Sequence, residues 1–112
     1  MIKIDAVLDE TGLFRACKVW GHAGAGPKGG DIVCAAVSVL TKTAFTTLSS
    51  REGIMLRGGA PERGIFWMET DYSGAGREFL AGAGAFLMEG LKSVAELYPE
   101  HCRLNIHMER RN

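Results

Sequence analysis

Two helical hydrophobic periods interleaved with pairs of short alternating runs limit the fold of this chain more than any other feature of its sequence. From Asp31 to about Ser50, Val33, Val37, Leu40, Ala44 and Leu48 recur at three- and four-residue steps, which is the spacing of one helix face. A second such stretch covers about 74–98, with Phe79, Ala83, Phe86, Leu87, Leu91, Val94 and Leu97 on one side and Pro99 as its stop. Residues 2–8 and 13–20 read as strands joined by the turn Asp9-Glu10-Thr11-Gly12. Further strands are expected near 53–58 and 64–70, joined by a turn at Gly58-Gly59-Ala60-Pro61. The tail from Arg103 to Glu109 alternates, with Leu104, Ile106 and Met108 inward. The order ββαββαβ predicts an α+β, two-layer sandwich: a mixed or antiparallel sheet with both helices on one face.

A chain of 112 residues has room for one such core, so residues 1–112 are expected to form a single domain. Thirteen basic and thirteen acidic side chains leave no net field, which argues against tight, sequence-independent binding of nucleic acid. Three cysteines, an odd number without the density of a disulfide scaffold, point to free thiols in a reducing cytoplasm. The charged, alternating N-terminus is not a signal peptide. The uncharged runs Ile32–Thr41 and Phe79–Met88 are too short to span a bilayer. No metal site or cofactor is called for.

The chemistry concentrates at one junction, Gly21 to Cys34. Here His22 stands at the lip of a loop containing Gly21, Gly24, Gly26, Gly29 and Gly30, and Cys34 follows Asp31 by three residues. With Asp31 as N-cap, Cys34 occupies the third helical position, where unpaired amides and the helix dipole stabilise a thiolate. In projection Cys34 lies about 100° from the centre of the Val33–Val37–Leu40–Ala44 stripe, on a flank shared with Ser38, Thr41 and Phe45. A cysteine in an apolar helix is commonly a small buried hydrophobe. The cap position, the flank bearing and the nearby imidazole favour a nucleophile–base pair instead. Cys17, Cys102, His101 and His107 lack such a setting and read as structural or surface residues. Asp31 either caps the helix or orients the imidazole, and Ser38 is either a neighbour of the site or an ordinary flank serine.

Gly24-Ala25-Gly26-Pro27-Lys28-Gly29 also matches the GxGxxG pattern, yet the acidic residue a dinucleotide fold needs at the end of the next strand is not in place. The glycines instead permit positive φ and close approach to a ligand.

Taken together, Gly21-His22-Ala23-Gly24, Gly29 and Asp31 to Ser38 resemble the signature of the bacterial ribosomal-processing cysteine proteases, and the likeness extends over essentially the whole chain. The resemblance implies a homodimeric, cytoplasmic cysteine endopeptidase that removes the N-terminal extension of a large-subunit ribosomal protein during ribosome biogenesis. It implies Cys34 as nucleophile, His22 as its base, and Asp31 and Ser38 as supporting residues. Ala25 departs from the family, in which an aromatic residue is usual there. Two other classes remain open on the sequence. One is a non-catalytic assembly factor whose glycine-rich loop binds a ribosomal protein or rRNA; the other is a different thiolate enzyme, such as an acyl transferase.

Overall fold

The computed structural model describes residues 1–21 and 27–109, with side chains described for 1–21 and 32–109. The elements are β1 (Ile2–Leu8), β2 (Phe14–Gly21), α1 (Pro27–Ser49), β3 (Ile54–Glu62), β4 (Ile65–Tyr72), α2 (Gly76–Leu97) and β5 (Cys102–Met108). The strands form one mixed sheet in the order β3-β4-β2-β1-β5. The β1–β5 pair is parallel and the other three are antiparallel. The expected ββαββαβ order and the α+β class are both found.

Register explains why the helices share a face. Ile2 pairs with Cys102, Ala6 with Cys17, and Cys17 with Met68, so these buried side chains emerge on one side of the sheet. From α1, Val33, Val37 and Leu48 meet them; from α2, Leu80, Leu87, Met88, Leu91 and Val94 do so. Within α1, the segment Ile32–Ser49 is long and apolar enough to cross a membrane by length and composition, a longer window than the uncharged run considered above because it includes Lys42. Its buried side chains Val33, Val37, Thr41 and Leu48 make it a core helix of this fold.

The first hairpin closes as its sequence demands. Asp9 is buried, and its carboxylate accepts hydrogen bonds from the Thr11 amide (2.8 Å), the Thr11 hydroxyl (2.6 Å) and the Leu13 amide (3.0 Å). Gly12 completes the turn at φ +89°. Burial works against the charge on Asp9. The Thr11 hydroxyl, the Leu13 and Thr11 amides and nearby Arg77 outweigh it, holding the carboxyl below its ordinary range.

Four expectations are corrected. Gly58, Gly59, Ala60 and Pro61 are not a turn: β3 runs through them to Glu62, and the reversal falls at Arg63-Gly64, with Gly64 at φ +84°. Gly58 is needed in the strand because a Cβ there would meet the Trp67 carbonyl and the Phe45 ring. The buried row of α2 passes through Leu80 and Gly84 rather than Phe79 and Phe86, and Phe86 and Leu97 are exposed. Gly84 lies on that row because Phe14 occupies the space its side chain would take. In β5, Ile106 and Met108 are exposed, so the inward alternation ends after Leu104. Finally, α1 starts at Pro27 instead of Asp31. A proline fits the first helical position, where its missing N–H costs nothing.

Candidate active site

The early start of α1 changes the chemistry assigned to Asp31 and Cys34. Asp31 is the fifth residue of the helix and not its N-cap, and Cys34 is the eighth. The sulfur therefore stands about 10 Å along the axis from the helix start, beyond the first turn in which the helix dipole acts strongly. The backbone N–H of Cys34 lies in the helix interior, where the carbonyl one turn earlier takes it up, so it is not a free donor to an oxyanion. Gly29 and Gly30 are helical too, not loop residues. His22, Gly24, Gly26 and the side chain of Asp31 lie outside the described residues. Gly21 is the last residue of β2, exposed and at φ +95°, and a Cβ there would run into the Met1 carbonyl.

Projection around α1 places the sulfur more closely than the sequence alone does. The buried residues Val33, Val37, Thr41 and Leu48 centre about 55° from Cys34, roughly half the angle expected. The difference arises at Thr41, which belongs to the core: its hydroxyl donates to the Val37 carbonyl at 2.8 Å, so no polar group is left bare. Leu40, assigned to the core stripe, packs against the core from the α2 side, where it fills the space beside Gly90. On the opposite flank, Cys34, Ser38 and Phe45 are half-buried. The Phe45 ring packs edge-on against Phe66 of β4, with centroids 5.9 Å apart and planes at 77°.

The three free thiols fall into two groups. Cys17 and Cys102 are buried in the sheet, where desolvation pushes the Cys17 thiol up to about 12 and raises that of Cys102. Cys34 is the half-buried one, packed against the core on one side. Iodoacetamide at pH 7.5 is accordingly expected to alkylate Cys34 at least about 100-fold faster than Cys17 or Cys102, since the last two offer neither access nor thiolate. Peptide mapping after timed quenching reads this directly; equal rates would remove Cys34 from consideration. Among the described residues no group of three or more metal-ligating side chains is assembled.

The fold agrees with comparisons to known proteins. The family model described as cysteine protease Prp matches residues 1–103. The Streptococcus mutans protein SMU.848 superposes with a TM-score of 0.75 at 26% identity, over 97% of this chain and 96% of that one. Two structures of the essential ribosomal processing protease Prp from Staphylococcus aureus are similar in fold. The one in complex with a substrate peptide has a TM-score of 0.79 at 21% identity, and the one with a covalently linked product peptide 0.80 at 22%. Each match covers 95% of this chain and 99% of the other. Among curated proteins none matches. The protein is an enzyme of the cysteine protease class. The chain belongs to the cysteine protease Prp family.

Proposed function

We propose that this protein is an endopeptidase that removes the N-terminal extension of a large-subunit ribosomal protein during ribosome assembly, with Cys34 as nucleophile and His22 as its base. The observation that carries the reading is that Cys34, alone among the three thiols, is half-buried on the flank of α1 rather than sealed in the sheet. The peptide complexes of the similar staphylococcal proteases support it. Three free thiols fit a reducing cytoplasm, where ribosomes are assembled.

In this mechanism His22 takes the thiol proton and the sulfur attacks the scissile carbonyl, giving a tetrahedral oxyanion. Because the amide of Cys34 is committed to the helix, stabilising that oxyanion calls for donors other than α1's own interior amides. His22 then protonates the leaving amine, a thioester remains on Cys34, and water releases the new carboxylate. Asp31, the fifth residue of α1 and not its cap, takes the supporting role of orienting the imidazole in this proposal. Ser38, one turn beyond Cys34 on the same flank, is assigned a supporting contact to the peptide. Gly21, the last residue of β2 and at positive φ, immediately precedes His22 in the sequence.

The deciding assay incubates the protein with the extended ribosomal-protein precursor and reads the products by mass spectrometry. Release of the extension, with a transient thioester on Cys34, supports the reading. Tight binding of the precursor without cleavage would instead favour an assembly factor, and a thioester whose acyl group passes to an amine rather than to water would favour an acyl transferase.

The active species is proposed to be a homodimer. On the face of α1 and α2 turned away from the sheet, Phe86 is 77% exposed and Val39 64%, beside a groove floored by the small residues Gly82 and Ala83. Knob and hole on one surface make it complementary to itself, as a two-fold interface requires. Phe86→Glu is expected to convert a dimer into a monomer at micromolar concentration in sedimentation velocity; a wild-type protein that sediments as a monomer at 100-fold higher concentration would refute this.

A further inference from the structure

The site has a nucleophile but, in the elements described above, no obvious trough for a peptide backbone. The sheet topology supplies one. β3 is an edge strand, and α1 lies over it: the Phe45 ring stands against Gly58 of β3 and Phe66 of β4. Cys34 and Phe45 are eleven residues apart and share a bearing to within about 20°, with Ser38 about 40° from Cys34. Leu40, which packs beside Gly90 of α2, is about 120° round the other way. The row Cys34–Ser38–Phe45 therefore faces away from α2, on the side of the free β3 edge.

The levels match as well. From Phe45 to Cys34 is about 16 Å along the helix axis. The same direction along β3, from Gly58 to Glu62, covers about 13 Å. Both lead to the end of the sheet where Gly21 closes β2 and the β3–β4 turn reverses the chain.

Among the described residues no strand pairs with this edge. Along Gly58, Gly59 and Ala60 the side chains are absent or a single methyl, and the position a Cβ would take at Gly59 meets nothing within 4 Å. Pro61 lacks an N–H, and the register shifts between Gly59 and Glu62, so regular pairing with an added strand ends there. At the opposite edge, β5 is separated from β3 by the whole width of the sheet. An edge strand left unpaired is ready to take another chain, and of the two edges among the described residues this is the one on the side of α1 that bears the thiol.

We infer that the substrate binds as an extended segment added to the free edge of β3, beneath the Cys34–Ser38–Phe45 flank of α1. This deepens the peptidase reading and rests on it. Backbone hydrogen bonds to β3 hold about five residues on one side of the scissile bond. Alternate side chains of that segment point up to the Phe45 ring and Ser38, while the intervening ones point to the outer face of the sheet. Selectivity then has a period of two: positions facing α1 are restricted in size and polarity, and those between them are tolerant.

Two measurements on the full chain test the inference, using a synthetic peptide spanning the extension and first residues of the host's ribosomal protein. Hydrogen exchange of the Cys34→Ala variant with saturating peptide is expected to slow edge-facing amides of β3 between Met55 and Gly59 at least about tenfold, leaving β5 unchanged. A scan of single backbone N-methyl groups through the peptide is expected to lower kcat/KM at least about 20-fold at alternate positions and less than threefold between them. Binding that protects other elements, no binding at millimolar peptide, or a scan without the two-residue period would overturn it. If wild-type protein cleaves the unmethylated peptide and these signatures are missing, the peptidase reading stands and the docking mode falls. If cleavage persists in Cys34→Ala, the reading itself falls.

Discussion

Cys34→Ala is expected to lower cleavage of the extended precursor by about 10⁴-fold or more while leaving the melting temperature within a few degrees of wild type. The size follows from the role. Without the sulfur no thioester forms, and what remains is the catalysis available from binding and general base alone. The small stability change follows from position: Cys34 sits on a helix flank, is only half-buried, and alanine is a better helix former. Cys17→Ala is the contrasting control. That side chain is 3% exposed among Ala6 and Met68, so its loss opens a cavity and costs about 1–2 kcal/mol without touching the chemistry. Calorimetry alongside the cleavage assay separates the two. An alanine variant at position 34 that cleaves at the wild-type rate would end the nucleophile assignment.

The largest expected stability loss lies elsewhere, at Gly76. This first residue of α2 is buried, and a Cβ on it would overlap the carbonyl of Gly53, which stands at φ +80° just ahead of β3. The obstacle is backbone on both sides, so no side chain can swing away. That carbonyl also accepts the Ser73 amide at 2.9 Å, which ties it to the end of β4. Gly76→Val should therefore pry the start of α2 from the sheet and cost about 3 kcal/mol or more, a fall of roughly 15 °C in melting temperature for a chain of this size. Gly82→Val is the control in the same helix, since a Cβ there meets nothing within 4 Å in the protomer; measured at a concentration where both variants are monomeric, it should cost about 1 kcal/mol or less. Equal melting temperatures for the two variants would show that the Gly53–Gly76 contact yields at little cost.

Much of the architecture is legible in residue patterns. Asp9 and Gly12 mark the first turn because one needs a short acceptor and the other a positive φ. The paired strands follow from two-residue alternation, and the helices from their apolar steps. What escaped was decided between elements. Gly58 reads as a turn residue, and only the Phe45 ring and the Trp67 carbonyl make it a strand residue. Gly84 reads as a gap in the apolar face of α2, and only Phe14 makes it the centre of that face.

The candidate site was legible in part for the same reason. Cys34 stands out by type and flank bearing, and that survives although its angle to the core is smaller than the pattern implied. The capping argument did not survive. Asp31 and Pro27 both carry helix-start signals, and the chain begins its helix at the proline, which moves the sulfur from the first turn to the third. His22, Gly24 and Gly26 stand as sequence proposals, and the variants above bear on them through Cys34.

The first and last strands lie side by side, with Ile2 opposite Cys102 and Leu8 opposite Met108. The sheet is thus stitched shut by residues a hundred positions apart, and β1 keeps a bare border until β5 has been synthesised and released from the exit tunnel. Closure across so long a stretch is slow compared with forming the local hairpins. A nascent chain of this enzyme consequently has an unfinished sheet, with β1 lacking one of its two neighbours, until β5 has emerged to pair with it.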